Sequence, residues 1–455
     1  MKDSIQSDSG IRLFVWGVWA AMLFFALFTV YRYGRNIPVI EDWVLVPPLT
    51  GNENILEWLW KPNSEHRIPL PKLILLGLLK LTHGDFRSGM YFTVLMVGTV
   101  AALMISGIRG LRGGTSRLVD AFFPLALLHM GHWENFCWSF QLALSFGCVL
   151  VLLLMRTAVI RPYFNDPGSA ILGGLALVCL PLSGAPGLLA VPFFGSWMTY
   201  CAIWNHLQAR KGNALDWVGP YLISCIVATA ALVSAYFPGL EPTGYPESPS
   251  LAFTLSIFSK FLGMSMGLGP VLPYTFPLVA LLIVTSVALA VSKIFLMEKE
   301  EKHRAIALAL MLVTWTSVCF LTAVTRAGLI FTFPRVGPMS RYILLFCPII
   351  ILPYFIWEKY GSRRLRVVVQ VILFLAMLIL VPVNYHTGSQ WGQWYLQTYE
   401  KVVADIRQGT SALEIARRHK DDLAHWYTPE LLADHIKMLH DAKMTIFARL
   451  PDSSF

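Results

Sequence analysis

The sequence predicts an all-α protein, a polytopic transmembrane helical bundle. Its 455 residues are 56% hydrophobic and only 14% charged, and its mean hydropathy is +0.58. Apolar runs of about 20 residues recur along the chain, which is the length that a helix needs to cross a bilayer. Because these runs are continuous rather than alternating segments of roughly 10 residues, helices are favoured over a β-barrel.

The apolar segments predict about eleven spanning helices, within a range of about 10 to 13 helices. The first run, Leu13 to Tyr31, is longer than a signal-peptide core and is followed by no small-residue cleavage site, so we expect it to remain as an anchor. Two stretches, 68–81 and 251–269, contain lysines and are ambiguous between spanning and interfacial helices. The predicted spans are 12–32, 88–108, 118–131, 139–155, 168–182, 187–204, 216–237, 272–293, 305–325, 341–357 and 366–385.

The positive-inside rule orients this bundle. With the N-terminus cytoplasmic and both ambiguous stretches at the interface, every predicted inner loop is short and rich in Lys and Arg. The unusual polar residues of the chain then converge on the outer face, together with the tail that follows the last span. The outer segments on this topology are 33–87, 131–139, 183–187, 238–250 and 325–340.

The composition argues against two other classes of protein. The formal net charge of +9 does not indicate nucleic-acid binding, because the basic residues lie in short clusters between apolar runs. The seven cysteines include no Cys-x-x-Cys pair, so neither a disulfide framework nor a zinc site is indicated. Four tail histidines also have spacings that fit no helical metal-binding pair: His419, His425, His435 and His440.

The sequence predicts a membrane domain over 1–385 and an extracytoplasmic helical tail over 386–455. In the tail, Thr410 or Ser411 is a candidate N-cap, and Thr428-Pro429-Glu430 combines a cap, a first-turn proline and a first-turn acid. We therefore expect two or three amphipathic helices. So short a segment buries too little surface to be comfortably stable alone, so it should pack on the outer face of the membrane domain.

Two acidic clusters stand in the first outer segment. Glu41-Asp42-Trp43 follows the first span, where a carboxylate shielded by aromatic rings could accept a proton from a hydroxyl nucleophile. The alternative for this cluster is an ordinary solvated loop acid. Glu65-His66-Arg67 places an acid, a titratable base and a fixed cation side by side, and a membrane-surface ion cluster is the alternative there.

Further polar residues interrupt the later apolar runs on the same predicted face. His132, Glu134 and Gln141 are costly at membrane depth and suit a functional pocket, although the tryptophans beside them are also typical interfacial anchors. Arg326 and Arg341 could clamp a lipid phosphate, because Arg pairs bidentately with phosphate and stays charged. Snorkelling to headgroups is the alternative, and it is the preferred interpretation for Arg335.

Taken together, these residues resemble the GT-C superfamily of integral-membrane glycosyltransferases, in particular bacterial members related to protein mannosyltransferases and aminoarabinose transferases. The resemblance covers roughly 1–385 as a pattern of topology with short motifs. It rests on Glu41-Asp42-Trp43, Glu65-His66-Arg67-Ile68-Pro69, the His132 to Gln141 stretch, Arg326, and Ser340-Arg341-Tyr342.

The resemblance implies an enzyme of the bacterial cytoplasmic (inner) membrane with its active site on the extracytoplasmic side. It implies a polyprenyl-phosphate-linked sugar donor, a glycan, lipid or protein acceptor, and transfer with inversion. Asp42 matches the family's first-loop acid and would be the base, although the adjacent Glu41 departs from the usual acid spacing and leaves that choice open. Membrane lipids, but no nucleic acid, are expected as partners.

The remaining predicted residues would bind substrate. Arg326 and Arg341, followed by Tyr342, would hold the departing phosphate, and the other polar groups would support it: Glu65, His66, Arg67, His132, Glu134 and Gln141. No cofactor is indicated, and the sequence leaves open whether a divalent metal is required. Two other functions stay open at this point: a membrane transporter or flippase of lipid-linked glycans, and a non-catalytic assembly subunit with the same fold.

Overall fold

The computed structural model describes residues 2–63, 65–212, 215–241, 244–268, 272–297, 299–333 and 339–454. These residues form helices and turns, with no β-strand among them, which confirms the predicted helical bundle. The α-helices are α1 (Lys2–Tyr33), α2 (Val46–Thr50), α3 (Ile55–Trp60), α4 (Pro69–Leu81), α5 (Arg87–Leu111), α6 (Phe122–Leu127), α7 (Trp133–Cys137), α8 (Leu142–Ile160), α9 (Pro167–Cys179), α10 (Ala185–Ala209), α11 (Val218–Tyr236), α12 (Leu251–Met264), α13 (Leu272–Leu296), α14 (Lys299–Thr332), α15 (Tyr342–Phe346), α16 (Pro348–Tyr360), α17 (Arg363–Arg407), α18 (Ala412–Leu423) and α19 (Pro429–Asp441). Short 3-10 turns occur at Ile40–Leu45, Leu118–Ala121, Met130–His132, Ser139–Gln141, Pro181–Ser183, Ile446–Arg449 and Asp452–Ser454.

Nine helical segments of the described chain are long and apolar enough to cross a membrane. The pass formed by α15 and α16 is the innermost of them, because nearly all of its residues are buried. The other eight are α1, α5, α8, α10, α11, α13, α14 and α17.

Two of the eleven predicted spans are not long helices. Segment 118–131 consists of a 3-10 turn, the six-residue α6 and a second 3-10 turn. Segment 168–182 contains the 13-residue α9, which ends two residues before Pro181, a residue without an N–H to continue the helix. Irregular backbone is tolerated at membrane depth where protein surrounds it, and Phe122 to Leu128 are all buried.

The first of these segments still runs the length of the bundle. Tyr354, in the second half of the α15–α16 pass, donates its hydroxyl hydrogen to Asp120 at 2.8 Å. At the other end of the same pass, the Arg341 N–H donates to Glu134 at 3.0 Å. Residues 120–134 therefore lie alongside most of the α15–α16 pass. We call the end with Glu134 and Arg341 the site end, and the end with Asp120 and Tyr354 the opposite end.

The α9 segment also connects the two ends. Tyr163, before α9, contacts His303 near the start of α14, with 5.3 Å between ring centroids. Gly184, after α9, shares a cavity wall with Arg326 near the end of α14. Eleven passes of the described chain thus connect the two ends, nine of them as long helices and two as shorter or broken ones.

The two ambiguous stretches, α4 and α12, begin and end at the site end. Ile68, before α4, lines a cavity at this end, and Gly84, after it, packs on Met444 of the tail. Phe253 of α12 contacts Phe331 at the end of α14, and the Leu268 N–H, after α12, bonds to Asn384 at 2.8 Å. Neither helix makes a pass, in agreement with the interfacial placement assumed for the topology.

A second hydrophobic core lies beyond the site end, between segment 33–87 and the tail. Trp43 is fully buried in it, 5.8 Å from the Phe447 ring and 6.4 Å from the His435 ring. The 45-residue α17 runs unbroken across residue 385 and carries Val402 and Ile406 into the same core. The tail helices start as predicted: Ser411 caps α18, and Thr428 caps α19.

Buried ion pairs close the opposite end. Arg112 contacts Asp120 at 2.7 Å and Glu358 at 2.6 Å, and Arg117 contacts Glu358 at 2.9 Å. Gln370 donates to the same Glu358 carboxylate at 2.8 Å. These contacts tie α5, α16 and α17 together, and each buried charge has a partner of opposite sign.

Candidate active site

The Ile40–Leu45 turn sends its two carboxylates in different directions. Asp42 is fully buried, and its two oxygens accept hydrogen bonds from the Phe140 N–H at 2.9 Å and the Val39 N–H at 3.3 Å. Glu41 instead lines a cavity at the site end. Asp42 therefore joins the first loop to the turn before α8, whereas Glu41 is placed to meet a ligand.

Burial shapes the acidity of both carboxyl groups. It raises the pKa of Glu41 above its ordinary value, although the Arg341 guanidinium partly offsets this effect. It raises the pKa of Asp42 further, against the hydrogen bonds from the backbone. A carboxylate with a raised pKa is a stronger base, so Glu41 suits proton abstraction from a hydroxyl group better than an ordinary surface acid does.

Arg326 lines the same cavity as Glu41. Its Nε donates to the Tyr342 hydroxyl at 2.9 Å, and its Nη2 pairs with Glu65. Its guanidinium also lies 4.9 Å from the centre of the Tyr245 ring. Burial alone would raise the pKa of Glu65. Hydrogen bonds from His66 and Arg326 outweigh this effect and lower the pKa to about 2. Glu65 therefore stays ionised and holds Arg326 in place.

Arg341 also lines this cavity, and polar groups outside the cavity hold it in place. Glu134 pairs with its guanidinium at 3.7 Å, and Asn135 donates to its carbonyl oxygen at 3.1 Å. Its guanidinium lies between two rings, 5.7 Å from Trp138 and 5.8 Å from Tyr342. Two arginines that both contact Tyr342 thus line one cavity.

Three polar atoms around this cavity have no hydrogen-bond partner in the described part of the chain. They are Glu41 Oε2, Gln141 Oε1 and Arg326 Nη1, and all three are buried. Buried polar atoms are paired in the large majority of cases, and an unpaired one costs about 1–3 kcal/mol. The cavity therefore offers two unpaired acceptors, a carboxylate and an amide oxygen, and one unpaired guanidinium donor. A polar ligand could form hydrogen bonds with all three.

The structure brings seven of the eleven predicted site residues into this wall. We call the space they enclose, with a volume of about 120 Å³, the site cavity. Its predicted members are Glu41, Glu65, His66, Gln141, Arg326, Arg341 and Tyr342.

Four predicted residues lie outside the wall. Asp42 and Glu134 act from behind it through the contacts given above. Arg67 is buried and donates to backbone carbonyls of Trp60, Tyr236 and Pro238, which pins the first loop to α11. His132 stacks on His129 at 4.2 Å and contacts the Ala126 carbonyl oxygen, so it stabilises the broken pass. Arg335 lies outside the described residues.

Tyr245 is a wall residue that the sequence analysis missed. It lies between Gly244 and Pro246 in the 238–250 loop. The loop reaches Arg326 because Gly328 has no side chain: a Cβ there would overlap the Pro246 carbonyl oxygen. The available signal was an aromatic residue between two turn formers in a loop on the same predicted face.

An apolar groove leads away from the site cavity, between α10, α11 and α14. This lateral groove has a volume of about 380 Å³ and shares Glu65, Arg326 and Tyr342 with the cavity. It reaches the surface of the bundle, because Phe237 and Leu321 in its wall are 57% and 40% exposed. The other apolar residues of the wall include Leu188, Leu189, Leu240 and Val318. A polar cavity thus adjoins an apolar groove that is open to the side.

No group of three or more metal-ligating side chains occurs within the described ranges. Comparisons with protein-family models, curated proteins and solved structures give no match for this chain. The functional assignment therefore rests on the geometry of the site cavity and on the resemblance drawn from the sequence.

Proposed function

We propose that this protein is a glycosyltransferase that moves a sugar from a polyprenyl-phosphate carrier to an acceptor hydroxyl at the site end of the bundle. The observation that carries the proposal is that the site cavity and the lateral groove share a wall, which includes Glu65, Arg326 and Tyr342. One ligand that needs both spaces is a phosphate joined to a long apolar chain. Polyprenyl-phosphate sugars have this form. Arg326 lines both spaces, and Arg341 lines the site cavity.

The proposed binding mode follows from the walls of the two spaces. The prenyl chain lies in the lateral groove among Leu189, Leu240 and Leu321, where its burial is favourable. The phosphate lies between Arg326 and Arg341, which offer charge-assisted hydrogen bonds. The sugar then occupies the site cavity beside Glu41 and Gln141, whose open acceptors suit sugar hydroxyl groups.

Glu41, rather than Asp42, is the base in this proposal. The acceptor oxygen attacks the anomeric carbon and gives its proton to the Glu41 carboxylate, while the bond from that carbon to the phosphate oxygen breaks. The electron pair leaves with the polyprenyl phosphate, whose added charge is stabilised by Arg326 and Arg341. Attack from the side opposite to the leaving group inverts the anomeric configuration. Asp42 has a positioning role, because backbone amides occupy both of its oxygens.

The location and partners of the enzyme belong to the same proposal. The site end faces the extracytoplasmic side of a bacterial inner membrane, the donor reaches the groove from the bilayer, and a glycan, lipid or protein acceptor arrives from water. The short basic loops of the opposite end support this orientation.

The experiment is donor turnover by purified protein in proteoliposomes. A panel of polyprenyl-phosphate sugars is supplied, and released polyprenyl phosphate and product are measured by mass spectrometry. We expect turnover of at least one donor with the product inverted. Movement of the intact donor between leaflets without release of its sugar would instead identify a flippase and overturn the proposal.

A groove variant ties turnover to the lateral groove. Leu321→Trp should narrow the groove and raise KM for long-chain donors more than for short-chain ones. Val324→Trp is the matched control, because Val324 is similarly exposed on α14 but lies outside the groove. Equal effects of the two variants on long-chain donors would contradict the assigned path of the prenyl chain.

A further inference from the structure

We propose that a second lipid site, separate from the site cavity and the lateral groove, binds a diacyl glycerophospholipid with an anionic headgroup. The site is an apolar groove between α1 and α17, with a volume of about 420 Å³. The volume falls within the usual range of small-molecule sites. This inference does not depend on the proposed transferase activity.

The walls of this α1–α17 groove suit acyl chains. Along α1 it extends from Met22 to Tyr33, a distance of about 16 Å at 1.5 Å per residue. Phe25 and Phe28 in this wall are 57% and 43% exposed, so the groove opens to the surface of the bundle. The α17 side contributes Val381, Pro382 and Tyr385. Aliphatic and aromatic groups therefore line most of the groove.

Arg32 provides a cation at one end of the groove. Its guanidinium lies over the Tyr33 ring at 5.2 Å, and the side chain is exposed. No acidic side chain of the described residues forms an ion pair with it. A phosphate can accept two parallel hydrogen bonds from such a guanidinium, so the charge of this end matches an anionic headgroup.

His129 provides a hydrogen-bond donor deeper in the groove. It is 1% exposed, and its Nδ1 accepts the Gly131 N–H at 3.0 Å. A neutral imidazole whose Nδ1 is an acceptor carries its proton on Nε2. That Nε2–H has no acceptor among the described residues, in a wall that is mostly apolar. An oxygen atom of the ligand would accept a hydrogen bond from this N–H.

The spacing of the two polar groups selects the ligand. Met130, next to His129, accepts a hydrogen bond from Thr29 at 3.6 Å. Thr29 precedes Arg32 by three residues, about 4.5 Å along the helix axis. The ligand therefore needs an anion at Arg32 and an uncharged acceptor roughly one helical turn deeper. A diacyl phospholipid has its ester carbonyls just below the phosphate, whereas a polyprenyl phosphate has only hydrocarbon there.

Native mass spectrometry of the purified protein tests this inference, with diacyl phosphatidylglycerol, its diether analogue, phosphatidylcholine and polyprenyl phosphate as probes. The wild type should bind diacyl phosphatidylglycerol about threefold to tenfold more tightly than the diether, which lacks the carbonyl acceptor. It should also prefer the anionic lipid to phosphatidylcholine by a similar factor. These comparisons need no variant, so they do not depend on the folding of a mutant.

Two variants assign the effects to residues. Arg32→Gln should abolish the preference for the anionic headgroup, whereas the control Lys260→Gln, which removes an exposed cation from α12, should leave it unchanged. His129→Asn keeps an acceptor for the Gly131 N–H but is too short to replace Nε2, and it should abolish the diacyl preference. Equal binding of diacyl and diether lipids by the wild type, or tighter binding of polyprenyl phosphate that Arg32→Gln weakens, would overturn the proposal.

Discussion

Glu134 holds Arg341 in position from the side away from the cavity. Its Oε2 accepts hydrogen bonds from the Ser340 hydroxyl at 2.6 Å and from the Arg341 N–H at 3.0 Å. The helix α7, which follows the broken pass, therefore fixes the residue that caps the start of the α15–α16 pass. A side chain outside the cavity wall thus determines where one of the two proposed phosphate ligands stands.

Replacing Glu134 should weaken donor binding and destabilise the protein. Glu134→Ala leaves the Ser340 hydroxyl and the Arg341 N–H without their acceptor, which costs about 1–3 kcal/mol. We expect a lower melting temperature in detergent and a higher KM for the donor. Glu134→Gln is the matched control: its amide oxygen still accepts, so stability should largely return, while the lost charge keeps KM raised. Equal donor KM values for the Gln variant and wild type would contradict the role of the ion pair.

Glu41→Gln should stabilise the protein at neutral pH while it removes the proposed base. Burial raises the folded-state pKa of Glu41 above 4.5, and the charge of Arg341 lowers it in part. The stability that Glu41 contributes is therefore present below about pH 4.5 and is lost as pH rises through the raised folded-state pKa. Above this pH range the Gln variant should melt at a higher temperature than wild type. Below about pH 4.5 the difference in melting temperature should vanish. A lower melting temperature of the variant at neutral pH would contradict the raised pKa of Glu41.

Gly328→Ala should disturb the site from behind Tyr245. The new Cβ would overlap the Pro246 carbonyl oxygen, so the loop must move away from α14 and take the Tyr245 ring off Arg326. Overpacking of this kind costs about 1–3 kcal/mol. We expect a higher donor KM with a smaller change in kcat. Gly195→Ala in α10 is the control, since a Cβ there meets no atom within 4 Å. Identical KM values for the two variants would show that the loop does not shape the cavity.

Local composition was sufficient to predict much of the bundle. Long apolar runs predict the spanning helices, and charge bias places Glu65, Arg326 and Arg341 at one end, where the structure also brings them together. The breaks in 118–131 were not readable, because burial by neighbouring passes decides them. Likewise, nothing in the Glu41-Asp42 pair shows that the Phe140 N–H, 98 residues away, takes Asp42 out of the cavity. Tyr245 depends on a close approach to Gly328, which is a tertiary contact.

Side-specific labelling tests the proposed topology. Glu53 lies in the first loop beside Lys61, and Lys359 lies at the end of α16 beside Glu301. The two residues are 26% and 30% exposed at their side chains and belong to opposite ends of the bundle. Glu53→Cys should react with a membrane-impermeant thiol reagent added outside spheroplasts, and Lys359→Cys only after lysis. Labelling of both from the same side would contradict the eleven-pass path.

The two adjacent carboxylates provide the most direct test of the central claim. Purified Glu41→Gln and Asp42→Asn proteins are compared with wild type for transfer from a polyprenyl-phosphate sugar, with turnover normalised to the folded fraction. A general base contributes about 10²- to 10⁴-fold, so Glu41→Gln should lose turnover by that factor, while Asp42→Asn should retain turnover in proportion to the protein that folds. Wild-type turnover by Glu41→Gln, or loss of turnover by a fully folded Asp42→Asn, would contradict the account.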